Sequence, residues 1–82
     1  MTPAITVYGA TWCADCKRSR DYLDSRQVPY EYIDIDMTPG AADEVSRLNN
    51  GQRSIPTILF PDGAVLVEPS NQELRAALDR LR

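Results

Sequence analysis

Two cysteines stand three positions apart in the stretch GATWCADCKRS, residues 9–19, and they are the only thiols in a chain of 82 residues. Three chemistries compete for such a pair. A zinc site needs four ligands, usually cysteine or histidine; with two Cys and no His, a metal site is not expected. Two inert buried thiols are an ordinary fate for cysteine. A redox-active pair is the third reading, and the surroundings favour it. The pair follows an apolar, β-branched run and opens a segment of helical character. A thiolate, not a thiol, attacks a disulfide. A helix N-terminus favours negative charge through its free N–H groups and its dipole. Cys13 falls at that terminus and is the expected attacking sulfur. Cys16, about one turn inward, is the expected resolving sulfur, placed to attack a Cys13 mixed disulfide from inside. Asp15 sets a negative charge beside the site, and Lys17 and Arg18 are placed to offset it or simply to face water. Trp12 reads as a wall of the groove beside the sulfur or as packing.

The elements that must position this pair follow one another closely. AITVY (Ala4–Tyr8) reads as a buried strand that Gly9 ends. A helix is predicted from about Cys13 to Arg26, with Cys16, Ser19, Leu23 and Tyr22 toward the core. YEYIDID (Tyr30–Asp36) reads as a second strand. In MTPGAADEVSRLNNG, Thr38 is the expected N-cap, Pro39 the first helical residue, and Asn-Asn-Gly the end. PTILF (Pro56–Phe60) and AVLVE (Ala64–Glu68), joined by Pro-Asp-Gly, read as a hairpin. A last helix opens with Ser70 as N-cap and Glu73 three residues later, a capping box. Its apolar stripe is Leu74, Ala77, Leu78 and Leu81. The first βαβ unit predicts a right-handed parallel crossover, and the hairpin is antiparallel. The fold class is therefore α/β, with a mixed four-stranded sheet.

Composition narrows the function classes. The chain is 43% hydrophobic and 26% charged, with a net charge of −3. Such a length predicts one domain with a modest core. An acidic balance argues against nucleic-acid or membrane-surface partners, and no apolar run reaches membrane-spanning length. The stretch MTPAITVYG has no basic segment followed by an apolar core, so a cytoplasmic address is expected. In a reducing compartment a close cysteine pair is not expected to be a structural staple. Nothing points to a stable oligomer, so a monomer is expected.

A second segment adds to the first. GQRSIPT, residues 51–57, enters the third predicted strand. Proline there avoids leaving a ladder position without its donor, which explains Pro56 on structural grounds alone. Strand, WCADC, helix, then GQRSIPT, FPDG and a capped final helix together resemble the glutaredoxin family, over about residues 4–82. The pieces WCADCKRS, NNGQRSIPTILFPDG and VEPSNQEL are similar to its mycoredoxin branch. The resemblance implies one glutaredoxin-like domain over residues 1–82, with the thioredoxin fold, strand order 2-1-3-4 and three flanking helices. It implies Cys13 as nucleophile, Cys16 as resolving cysteine and Pro56 as a cis-proline. Ile55 would offer its backbone to the bound thiol or peptide. Arg53 or Gln52 would face a ligand carboxylate. Ser70 and Asn71, at the start of the last helix, would hold the polar end of a low-molecular-weight thiol, as helix N-termini hold anions.

Departures from glutathione-using members bear on which thiol is used. Those members carry Pro-Tyr between the cysteines, where this chain has Ala14-Asp15. Many carry a lysine three residues before the first cysteine, where this chain has Ala10. They have Gly-Gly and an acidic pair near the last helix, where this chain has VEPSNQ. The resemblance thus implies reduction of mixed disulfides between proteins and a small thiol, with mycothiol the expected co-substrate and no tightly bound cofactor. A small-thiol disulfide reductase would act indirectly, through that thiol. Two alternatives stand beside it. One is a dithiol donor for protein disulfides such as those of ribonucleotide reductase, recharged by thioredoxin reductase. The other is a non-catalytic iron–sulfur cluster binder using the first cysteine.

Overall fold

In the computed structural model, which describes residues 5–81, a four-stranded sheet is ordered β2-β1-β3-β4. The strands are β1 (Thr6–Gly9), β2 (Glu31–Asp34), β3 (Thr57–Leu59) and β4 (Val65–Val67). Helices α1 (Ala14–Ser25), α2 (Ala41–Leu48) and α3 (Asn71–Arg80) complete the fold. β1 pairs parallel with β2 and antiparallel with β3, and β3 pairs antiparallel with β4. This is the expected α/β architecture, the thioredoxin fold, with the predicted strand order.

Alternation in β1 sets the layers. Val7 is fully buried and joins Ile5, Leu23, Ile58, Phe60, Leu74, Ala77 and Leu78 in the main core. That cluster draws on α1 and α3, so both helices cover one face. Successive residues of a strand point to opposite faces. Tyr8 accordingly turns to the other face, where Glu44 and Arg47 of α2 are charged neighbours of its phenol. Cys16, Ser19 and Leu23 form the buried stripe of α1 at helical spacing, as expected. Tyr22 only packs against the margin of the core. Removing the Leu23 side chain would cost about 2–5 kcal/mol.

The strands are shorter than the apolar runs, and Gly9 lies inside β1 rather than beyond it. Ala4, the predicted first residue of that strand, lies outside the described residues. β2 stops at Asp34 because the chain then turns, with the Met37 and Thr38 N–H groups donating back to the Asp34 carbonyl at 3.2 and 3.0 Å. Pro56 stays out of β3, consistent with its missing N–H.

The predicted start of α2 is corrected. Thr38 is not the N-cap and Pro39 is not helical; Gly40 is the N-cap and Ala41 the first helical residue. Gly40 has φ 83° and ψ −11°, and the Ala41 N–H donates to the Thr38 carbonyl at 3.1 Å. Thr38-Pro39-Gly40-Ala41 is therefore a type II turn, with proline and glycine in the positions that turn favours. A residue in the left-handed region cannot continue an α-helix, so the helix waits one more position.

α1 ends without glycine. The Gln27 N–H donates to the Asp24 carbonyl at 3.0 Å and the Val28 N–H to the Leu23 carbonyl at 3.0 Å, with Gln27 at φ 56°. This is a Schellman closure. The capping box of α3 is present as read: the Ser70 hydroxyl accepts from the Glu73 N–H at 3.1 Å, and the Glu73 carboxylate accepts from the Ser70 N–H at 2.9 Å.

Candidate active site

The register brings the chemistry-bearing segments to one end of the sheet. β1 ends at Gly9 beside Asp34, the last residue of β2. On the other side Tyr8 stands opposite Thr57, the first residue of β3, and Thr57 stands opposite Val67, the last of β4. The loops that leave this end are therefore Ala10–Cys13, Ile35 onward, the approach to Thr57 through Ile55-Pro56, and Glu68–Ser70.

Cys13 is the N-cap of α1, in extended conformation at φ −94° and ψ 108°. An N-cap side chain ordinarily offers an oxygen to the first free N–H groups. Here the Cys13 Sγ does so, accepting from the Cys16 N–H at 3.1 Å. A backbone donor and the positive end of a helix dipole are thus aimed at this sulfur. Cys13 is half-buried, and Cys16 is fully buried. Burial pushes the Cys16 thiol up to about 12, and its hydrogen bond to Cys13 adds to the effect. The two sulfurs are an outer and an inner one, as the spacing predicts.

Gly9 makes the inner position possible. A Cβ there would lie 3.0 Å from the Cys16 Sγ and 3.2 Å from the Tyr32 ring. The glycine that reads as a strand terminator is in fact the floor beneath the second cysteine. A glycine inside a strand pattern is the available signal for such a close approach.

Charges around the pair divide unevenly. Asp15 is held by Arg18, Nε to Oδ1 at 2.9 Å, so the offset expected of Arg18 is present. Lys17 pairs instead with Asp21 at 2.7 Å. Arg18 also donates to the Ser19 hydroxyl at 3.1 Å, to the Pro69 carbonyl and to the Asn71 side-chain oxygen. One guanidinium thus ties α1 to the start of α3. Sequence reasoning treated Arg18 as a local charge and missed this role; nothing in its spacing signals a partner 53 residues away.

The other expected site residues fall as follows. Trp12 is 71% exposed, and its indole N–H donates to Asp36 Oδ2 at 2.7 Å, so it is not core packing. The Ile55–Pro56 peptide is cis, and Pro56 is buried. The Pro56 carbonyl accepts from the Glu68 N–H at 2.8 Å. Buried Thr57 holds the preceding turn: its hydroxyl donates to the Ser54 carbonyl at 2.7 Å and accepts from the Asn49 amide at 2.8 Å. Arg53 is exposed and pairs with Asp43 at 3.0 Å. The Ser70 and Asn71 side chains already serve the capping box and Arg18.

Two hollows open at this end. The larger, about 470 Å³, is lined by Asp15, Arg18, Glu68 and Pro69 with Ser70, Asn71 and Glu73. The smaller, about 230 Å³, lies along Ile35–Gly40 and takes in Asp43 and Arg53. Ser70 and Asn71 are thus brought together in one hollow, and Arg53 lies in the other. Cys13 lines neither; Asp15 links its helix turn to the larger hollow, and the Trp12–Asp36 hydrogen bond links its loop to the smaller. Among the described residues, no cluster of three or more His, Cys, Asp or Glu is arranged to hold a metal ion, and no helix is long and apolar enough to cross a membrane.

Comparison with known proteins agrees with this geometry. The glutaredoxin family model matches residues 5–65. A Mycobacterium tuberculosis protein named as a glutaredoxin is 36% identical, over 99% of this chain and 96% of its own length. Mycoredoxin 1 of Corynebacterium glutamicum is 31% identical, over 94% of this chain and 95% of its own. Among solved structures, the methanoredoxin of Methanosarcina acetivorans superposes with a TM-score of 0.81 at 30% identity, covering 93% of this chain and 84% of that one.

Proposed function

The chain belongs to the glutaredoxin family of thiol–disulfide oxidoreductases, and from that premise we propose that it reduces mixed disulfides between proteins and a low-molecular-weight thiol, with mycothiol the physiological one. Cys13 is the nucleophile. Its thiolate attacks the small-thiol sulfur of a protein–S–S–R disulfide. A new Cys13–S–S–R bond forms, the old bond breaks, and the protein leaves as a thiolate that takes up a proton. A second small-thiol molecule, as thiolate, attacks the R sulfur on Cys13. This regenerates the Cys13 thiolate and releases the symmetrical disulfide R–S–S–R. A reductase specific for that disulfide, drawing on NADPH, closes the cycle.

The observation that carries this reading is the unequal placement of the two sulfurs. Cys13 is reachable and has the Cys16 N–H directed at it, whereas Cys16 is fully buried with its thiol pushed up to about 12. Part of that upward push comes from Cys13 itself and vanishes once Cys13 is in a disulfide. Burial, the larger cause, remains. At neutral pH an inner thiol so disposed is slow to attack, which favours the route in which a second small thiol does the releasing. Ile55, with Pro56 and the Trp12 indole, forms the proposed seat for the bound sulfur and its chain. Arg53, Ser70 and Asn71 border the hollows on either side. The Mycoredoxin 1 likeness supports the choice of thiol.

The test is NADPH-coupled reduction of a protein–mycothiol mixed disulfide, with mycothiol and its reductase supplied. Wild type is compared with Cys13→Ser and Cys16→Ser. Activity lost in the first and kept in the second supports the proposal. Activity in wild type that Cys16→Ser abolishes makes the internal disulfide obligatory. Inactive wild type that thioredoxin reductase nonetheless recharges rejects the small thiol and leaves the dithiol donor.

A further inference from the structure

Within the larger hollow one charged group has no other task. Asp15 is paired with Arg18, the Glu73 carboxylate accepts from the Ser70 N–H, and Asn71 accepts from Arg18. Arg18, the only cation among the described residues that line the hollow, commits four of the five N–H groups of its guanidinium. The Glu68 carboxylate is exposed and, among the described residues, has no hydrogen-bond or ion-pair partner. Its backbone holds it there: φ is 49°, in the left-handed region, and its N–H donates to the Pro56 carbonyl at 2.8 Å. An unpaired negative charge is therefore anchored directly to the cis-proline segment.

Consider what could enter. A thiol that carries a carboxylate would bring its anion to Asp15, Glu68 and Glu73, with one guanidinium that is already engaged. The unused N–H groups in the first turn of α3 favour an anion, but Glu73 already occupies that turn. A hydroxyl group meets the opposite situation. It donates to a carboxylate and forms a charge-assisted hydrogen bond. We propose that Glu68 determines specificity at the small-thiol site, selecting an uncharged, hydroxyl-rich thiol over a carboxylate-bearing one. The inference rests on the small-thiol reading above and adds to it the residue that discriminates between thiols.

The experiment uses one peptide thiol capped in two ways, with 1-thioglycerol or with glutathione. Reduced protein is mixed with an excess of each, and release of the common peptide thiol is timed at low and high salt. Wild type prefers the thioglycerol form, and its rate on the glutathione form rises with salt as repulsion is screened. Glu68→Lys shifts the preference toward glutathione by about tenfold, and Glu68→Gly by about threefold. The glycine variant also suits the left-handed backbone, so its fold is not at risk. A preference that moves by less than about twofold in both variants, or a wild-type glutathione rate that falls with salt, overturns the role of Glu68. Wild type that attacks neither capped peptide, yet reduces a protein disulfide, overturns the small-thiol reading and this inference with it.

Discussion

Cys13 and Cys16 belong to one motif and to different media. The first is half-buried at a helix N-terminus and has the Cys16 N–H directed at its sulfur at 3.1 Å. The second is fully buried, pressed against Gly9, with its thiol pushed up to about 12. The same side chain gives a reactive group or a protected one, depending on whether it meets water and free N–H groups or a packed floor. The lesson extends to the two arginines nearby. Arg18, 35% exposed, has four acceptors, two of them across at the start of α3, while Arg53, 63% exposed, holds one ion pair with an even more exposed aspartate.

The contrast between the sulfurs predicts its largest effect in alkylation. Iodoacetamide on the reduced native protein will modify Cys13 at least about a hundredfold faster than Cys16, because the inner thiol must wait for local opening. Peptide mass spectrometry over time reads both sites, and comparable rates would break the comparison. Next in size is Gly9→Ala. The added Cβ meets the Cys16 Sγ at 3.0 Å, and overpacking of this kind costs about 1–3 kcal/mol. Urea unfolding measures the loss, and faster alkylation of Cys16 in the same variant would tie it to the floor of the site.

The arginines sharpen the same point. Arg18→Ala leaves the Pro69 carbonyl, Asn71 and Asp15 without their donor and is expected to cost about 1–2 kcal/mol. Arg53→Ala removes an exposed ion pair and is expected to fall within about 0.5 kcal/mol of wild type. Equal losses would show that the link between α1 and α3 lies elsewhere. The two sulfurs also differ in their response to pH. The Cys16 thiol is raised from 9.0 to about 12 on folding. The folded state then binds more protons than the unfolded one above pH 9, so this contribution is fully present below that pH and is lost as pH rises toward 12. The slope is at most about 1.4 kcal/mol per pH unit. Tyr8, Tyr30 and Tyr32, whose phenols burial raises above 10.0, add a loss of the same sign as pH approaches 10, so the Cys16 share is the difference between wild type and Cys16→Ala. Identical pH profiles for the two proteins above pH 9 would remove the Cys16 contribution.

Much of this was legible from residues alone because the signals are local. Strand–CxxC–helix order, the Ser70–Glu73 capping box and the spacing of Cys16, Ser19 and Leu23 each depend on neighbours within two turns. The cis-proline came from family resemblance; local sequence explains Pro56 equally well without it. The start of α2 was misplaced because Thr38-Pro39 matches a helix-start pattern as well as a type II turn, and only the Gly40 dihedral decides between them. The roles of Arg18 and Gly9, and the one proposed for Glu68, are not legible in the sequence for another reason. Their roles depend on what tertiary packing places opposite them, and no periodicity encodes that.

The placement of Trp12 has an optical consequence. It is the only tryptophan in the chain, it is next to Cys13, and its indole is oriented by Asp36. Emission excited at the red edge of protein absorption therefore comes from the residue next to Cys13, the proposed nucleophile. Disulfides quench indole emission at close range, so a disulfide formed at Cys13 is expected to change the brightness of the unlabelled protein. The single indole is thus a built-in reporter for the proposed chemistry, to be read in a stopped-flow instrument without a dye.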